Sequence, residues 1–111
     1  MKLSEIKGER VFDVIADVID PIVSIAQDED AAALFRPQPL PDGMEPWDFF
    51  LSRVKRSLPP LMRTHKEDFI TIMASLHGVS RDEYAESVTM ASLFSDLIEL
   101  VTDTEFASFF G

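Results

Sequence analysis

At 111 residues, 46% of them apolar, the chain is long enough to bury one core of its own and too short to invite division into domains. It has no cysteine, which excludes disulfides and thiolate-bound metals and is compatible with a reducing cytosol. Twenty acidic and ten basic side chains leave a formal charge of −10. Met1-Lys2-Leu3-Ser4-Glu5 lacks the apolar centre of a signal peptide, and no run approaches the roughly 18 apolar residues of a membrane span. The expectation is a soluble intracellular protein with no membrane partner.

In residues 9–26, Val11, Phe12, Val14, Ile15, Val18, Ile19, Ile22, Val23 and Ile25 follow a helical period with a wide stripe, and Asp13 and Asp17 fall on the other side. Pro21, with Asp20 before it as N-cap, predicts a break or kink and a second short helix to about Gln27. Asp28-Glu29-Asp30 caps a helix over residues 31–35, its carboxylates opposing the positive end of the helix dipole. Arg36-Pro37-Gln38-Pro39-Leu40-Pro41-Asp42-Gly43 opens a stiff proline-rich connector over residues 36–46. It reads as a link within one domain, since the 35 residues before it make a poor core alone. Pro46 starts the next helix, whose stripe is Trp47, Phe50, Leu51, Val54 and Leu58 and which Ser57-Leu58-Pro59-Pro60 ends. Leu61 and Met62 make a short turn toward Lys66.

Phe69, Ile72, Met73 and Leu76 then stand at i, i+3, i+4 and i+7 on one face. Gly78 stops that helix in the left-handed conformation, and Ser80 begins another in a capping box with Glu83, with Val79 packing on Tyr84. The stripe Tyr84, Val88, Ala91, Phe94 or Ser95, Ile98 and Val101, widened by Leu97 and Leu100, predicts one helix over residues 81–101. Thr102-Asp103-Thr104-Glu105 is a further cap pattern, and Phe106, Phe109 and Phe110 form a short last helix ending at Gly111. No stretch reads as a strand and none repeats. The expected fold is an all-α compact bundle of about five to seven helices, with residues 1–111 as a single domain.

Charge is unevenly placed. Residues 1–35 carry three basic and eight acidic side chains, residues 36–66 six and three, and residues 67–111 one and nine. Arg53, Lys55, Arg56, Arg63 and Lys66 thus form a basic island between acidic flanks. Its plainest use is charge balance on a solvated face; the sharper one is self-association, in which Arg53, Lys55 and Arg56 of one copy meet an acidic flank of the next.

The helix pair around Gly78 invites comparison with DNA-reading motifs, but Asp82, Glu83 and Glu86 would stand where phosphates approach, so no nucleic-acid partner is expected. His65 and His77 have no second ligand at metal-binding spacing and read as surface or boundary residues. Asp13, Asp17 and Asp20 read as a solvated row, and Asp28-Glu29-Asp30 lacks the glycine and distal glutamate of a calcium loop. No catalytic residue, cofactor site or metal site is expected. Methionines 44, 62, 73 and 90 read first as core filling. Three phenylalanines within the last six residues are harder to bury. Trp47, Phe50, Phe106, Phe109 and Phe110 are therefore the candidate partner-binding residues.

The run Met1 to Arg10, then Asp13-Val14-Ile15-Ala16-Asp17, Ile19-Asp20-Pro21-Ile22, Ala31-Ala32-Ala33-Leu34-Phe35, Phe49-Phe50-Leu51 and Gly78-Val79-Ser80, resembles the tail assembly chaperones of long-tailed bacteriophages and prophages. The resemblance covers nearly the whole chain, through structural rather than catalytic motifs. It implies a small helical protein of the host cytoplasm, absent from the mature virion, that coats and solubilises the tape measure protein. It also implies recruitment of tail tube subunits through a longer form made by a −1 frameshift. This chain would be the short form, with a T-rich slippery heptamer encoding Ser108-Phe109-Phe110. The alternative is an acidic DNA mimic that occupies a DNA-binding protein.

Overall fold

The computed structural model describes residues 2–110. A turn of 3-10 helix at Leu3–Glu5 precedes seven α-helices: α1 Arg10–Ala26, α2 Glu29–Ala32, α3 Pro46–Thr64, α4 Lys66–His77, α5 Arg81–Ser87, α6 Met90–Val101 and α7 Thr104–Ser108. No strand occurs among the described residues, as the all-α expectation requires. Gly111, the expected end of the last helix, lies outside them. No helix among the described residues is long and apolar enough to cross a membrane.

The core is built around α4, whose Phe69, Ile72, Met73, Ala74 and Leu76 are all buried. It packs against α1, α3 and α5. From α1 come Val14, Val18, Ile22 and Ile25, and the same cluster takes in Leu34, Phe35, Leu61, Tyr84, Leu97, Leu100, Phe106 and Phe110. Each large side chain so removed from water contributes roughly 1.5–3 kcal/mol against the entropy of ordering the chain. The body measures 44 × 28 × 23 Å.

The corner between α4 and α5 forms at the expected residues, with the capping box only half made: the Glu83 carboxylate makes no return bond to Ser80 N–H. Gly78 has φ +72°, and Val79 N–H donates to the Ala74 carbonyl at 3.0 Å, which closes the end of α4. The Ser80 hydroxyl accepts from Glu83 N–H at 3.1 Å and starts α5. A distant residue completes the corner: the Arg10 guanidinium donates to the Leu76 carbonyl at 2.7 Å and the Ser75 carbonyl at 3.2 Å, placing a cation at the negative end of α4.

Four helix boundaries differ from the sequence reading. α1 runs unbroken through Pro21. A proline there forfeits one backbone bond, but its ring is buried in the helix's inner face, and packing holds the helix through the defect. α3 likewise continues through Pro59 and Pro60 to Thr64, where the end comes at His65. The expected helix over residues 81–101 is two. Val88 and Thr89 are extended, the Thr89 hydroxyl accepts from Ser92 N–H at 3.1 Å, and the Ser92 hydroxyl accepts in return from Thr89 N–H at 2.9 Å. This local capping box outcompetes continuation of the stripe. α2 begins at Glu29, two residues early, because Asp28 rather than the whole acidic triplet is its cap, accepting from Asp30 and Ala31 N–H.

Candidate partner-binding surface

The five aromatic candidates separate into core and surface. Phe106 is 1% exposed and Phe110 is buried; with Phe35 they form a triangle of rings whose centroids lie 5.1 to 5.2 Å apart, Phe35 and Phe106 edge to face. The Arg36 guanidinium donates to the Phe110 carbonyl at 3.2 Å and fastens this end down. Phe106 and Phe110 therefore belong to the core, and the expectation that they present themselves to a partner is corrected. Phe35 lies far away in sequence, so only the tertiary fold supplies their cover.

Phe109, between them, turns outward. It joins Leu3, Ile6, Val11, Val14, Ile15, Glu105 and Ser108 around an open cleft of about 240 Å³. Trp47, the sole tryptophan, is 61% exposed and stacks obliquely on Phe50 at 5.6 Å. Both line a cleft of about 170 Å³ with Ile98, Val101 and Thr102, bringing α3 and α6 together.

The exposed apolar surface extends well beyond these residues. On α6, Met90, Phe94 and Ile98 are exposed at four-residue intervals, leading toward Trp47. On α1, Val11, Ile15, Ile19 and Val23 form a second row at the same interval, with Phe12, 77% exposed, beside it. Four-residue spacing keeps side chains in one ridge of a helix surface. The sequence held a signal for the α1 row: nine large apolar residues span too much of the circumference for one inner face to bury.

The basic island is also divided. Arg53 folds inward, donating to the carbonyls of Ala33 at 3.1 Å, Arg36 at 2.9 Å and Leu34, and so closes the end of α2. Its guanidinium carbon lies 5.6 Å from the centre of the Phe49 ring. Arg53 thus has an intramolecular task and is only half-exposed, whereas Lys55 and Arg56 are exposed.

Two polar clusters went unforeseen. His65, expected near the surface, is 5% exposed at the joint of α3 and α4. Its Nε2 lies 2.8 Å from Asp28 and its Nδ1 2.8 Å from Asp68, with the Ser24 hydroxyl 3.5 Å away. Ionised carboxylates only accept, so both contacts are hydrogen bonds when both ring nitrogens carry protons, and the arrangement favours the imidazolium form. Burial pulls the His65 pKa down, but the bonds to Asp68 and Asp28 outweigh burial and leave it raised. The Asp28 pKa is lowered, chiefly by its bond with His65. In the second cluster Tyr84 donates to Asp96 at 2.8 Å, and His77 Nε2 meets the other oxygen at 3.1 Å while stacking on the Tyr84 ring. Burial, then Asp96, pushes the Tyr84 pKa upward. The neighbouring Ser87 and Ser92 hydroxyls donate to backbone carbonyls in their own turns. These groups tie α4, α5 and α6 together. No group of three His, Cys, Asp or Glu among the described residues is arranged to hold a metal ion.

No family model, curated protein or solved structure matches the chain.

Proposed function

We propose that this protein is a non-enzymatic phage tail assembly chaperone, which coats the helical tape measure protein, keeps it soluble, and helps recruit tail tube subunits through a longer, frameshifted form. One observation carries the reading: thirteen large apolar side chains stand exposed among the described residues of a chain whose net charge is −10. Such surface rarely persists on a small monomer without a partner to cover it. The acidic remainder keeps the loaded complex in solution. The cleft of Trp47, Phe50, Ile98 and Val101 is the proposed seat for apolar residues of the tape measure helix. Self-association along that rod, in the host cytoplasm and outside the mature virion, belongs to the same proposal, with Lys55 and Arg56 as its exposed cations.

An acidic DNA mimic would draw on the exposed carboxylates of Asp82, Glu83 and Glu86, yet a phosphate-like surface gives no reason for apolar ridges.

Co-expression with the tape measure protein of the same genome tests the proposal. The expected result is a soluble multi-copy complex in which Trp47 fluorescence shifts to the blue, and a Trp47→Ser, Ile98→Ser variant that leaves the tape measure protein in the pellet. A tape measure protein equally insoluble with and without the native chain overturns it.

A further inference from the structure

The geometry points to a second docking face, on the outer flank of α1, whose occupant is an amphipathic helix with lysine or arginine beside its apolar stripe. Two observations specify that occupant, one through shape and one through charge.

The shape is a ridge. Val11, Ile15, Ile19 and Val23 are all exposed at intervals of four and span three turns, about 18 Å at 1.5 Å per residue. Rows of this spacing are what one helix inserts into the groove of another, so the complementary object is a helix. At one end the ridge runs into the cleft under Phe109, where Leu3, Ile6 and Val14 offer a floor for a protruding side chain. Phe12 stands beside the row as a further apolar contact.

Along α1 after Arg10 the charge has one sign. Between Val11 and Ala26, α1 carries Asp13, Asp17 and Asp20 and no cationic side chain. At 100° per residue, Asp20 and Asp13 lie just past Phe12 and Val23 on the outer side of the ridge, and all four are exposed. Asp17 lies further round, where it accepts from the Ser75 hydroxyl of α4. Glu9 is exposed just before the helix and Glu105 lines the cleft at its end, while the exposed cation Lys7 sits beside the cleft residue Ile6, so the single sign of charge belongs to the border of α1 from Val11 onward. The one cation opening the helix, Arg10, reaches instead to the carbonyls that end α4. A helix with acidic flanks would meet like charges along this border, whereas one with basic flanks meets opposite charges.

This deepens the chaperone reading by giving the chemistry of one helix the protein accepts, and its test needs no tape measure protein, so either can fail alone. Two synthetic peptides of about 21 residues, long enough to hold a helix, carry leucine along one face and either lysine or glutamate beside it. Titration into the native protein at physiological salt is followed through the methyl resonances of Val11, Ile15, Ile19 and Val23. The lysine peptide is expected to shift those methyls and to bind at least tenfold more tightly than the glutamate peptide. Ile15→Ser with Ile19→Ser is expected to weaken it tenfold or more. Phe12→Ser, at the most exposed position, gives a several-fold loss even if the double variant fails to fold. Asp13→Asn with Asp20→Asn is expected to flatten the salt dependence. Equal binding of both peptides, undiminished binding by the Phe12→Ser protein, or a native chain that covers this face by pairing with itself overturns the inference.

Discussion

Helices α1 and α4 pack against each other and are both rich in large apolar residues, yet they use them differently. α4 places Phe69, Ile72, Met73 and Leu76 in the core and leaves Ile70 half-buried. α1 buries Val14, Val18, Ile22 and Ile25 and leaves Val11, Phe12, Ile15, Ile19 and Val23 toward solvent. One helix has the apolar content that its own fold requires. The other carries a surplus, and surplus apolar surface on a single helix is the mark of an element with a second obligation.

Truncating a residue on each helix measures that difference directly. Leu76→Ala, at a wholly buried site, is expected to cost about 3 kcal/mol of stability, read as a lowered midpoint in urea. If it costs under about 1 kcal/mol, α4 is not the centre of the core. His65→Ala is expected to cost about 2 kcal/mol, below the range for a fully buried pair, because the side chains of Asp28 and Asp68 are still 29% and 27% exposed. Its signature is pH dependence. The stability due to His65 is present below the ordinary histidine pKa and lost as pH rises through its raised value. The part due to Asp28 is present above the ordinary carboxylate pKa and lost as pH falls through its lowered value. The native protein should therefore lose stability as pH rises from the ordinary histidine pKa through the raised one, a loss absent from the His65→Ala variant; equal pH profiles would remove the protonated ring from the account. Phe12→Ser is the smallest effect, within about 0.5 kcal/mol, since this ring covers little of the fold. A much larger loss would mean that α1 needs its outer flank for folding, and the comparison would collapse.

What could be read from the sequence was whatever short-range chemistry dictates. Gly78 with Ser80, and the stretch Thr102-Asp103-Thr104-Glu105, mark their helix ends through bonds spanning two or three residues; both ends form there, with Asp103 as the cap of the second. The box of Thr89 and Ser92 is equally local, but the apolar periodicity running across it hid it. The prolines misled because their cost is fixed while the packing that offsets it is tertiary: Pro21 and the helix through Pro59 and Pro60 are held by neighbours that no local window contains. Some of the candidate residues turn inward for the same reason. Phe106 and Phe110 find Phe35 across the fold, His65 finds Asp28 at a separation of 37 residues, and Arg53 finds the end of α2 at separations of 17 to 20. The apolar ridge of α1 was visible only as an excess, because periodicity counts apolar residues without saying how many a neighbour will cover.

The buried carboxylate of Asp103 has a consequence for how the molecule opens. One oxygen caps α7 through Glu105 and Phe106 N–H, while the other accepts from Ser4 N–H at 3.2 Å, across 99 positions of sequence. The first helical turn and the last helix are thereby latched by a single side chain, so local fraying at one releases the other. Their backbone amides should exchange with solvent deuterium as one cooperative unit, at a common opening free energy below that of α4. Closure of so long a loop delivers its reward only after the helices between are assembled, which makes this latch a late event in folding and an early one in unfolding.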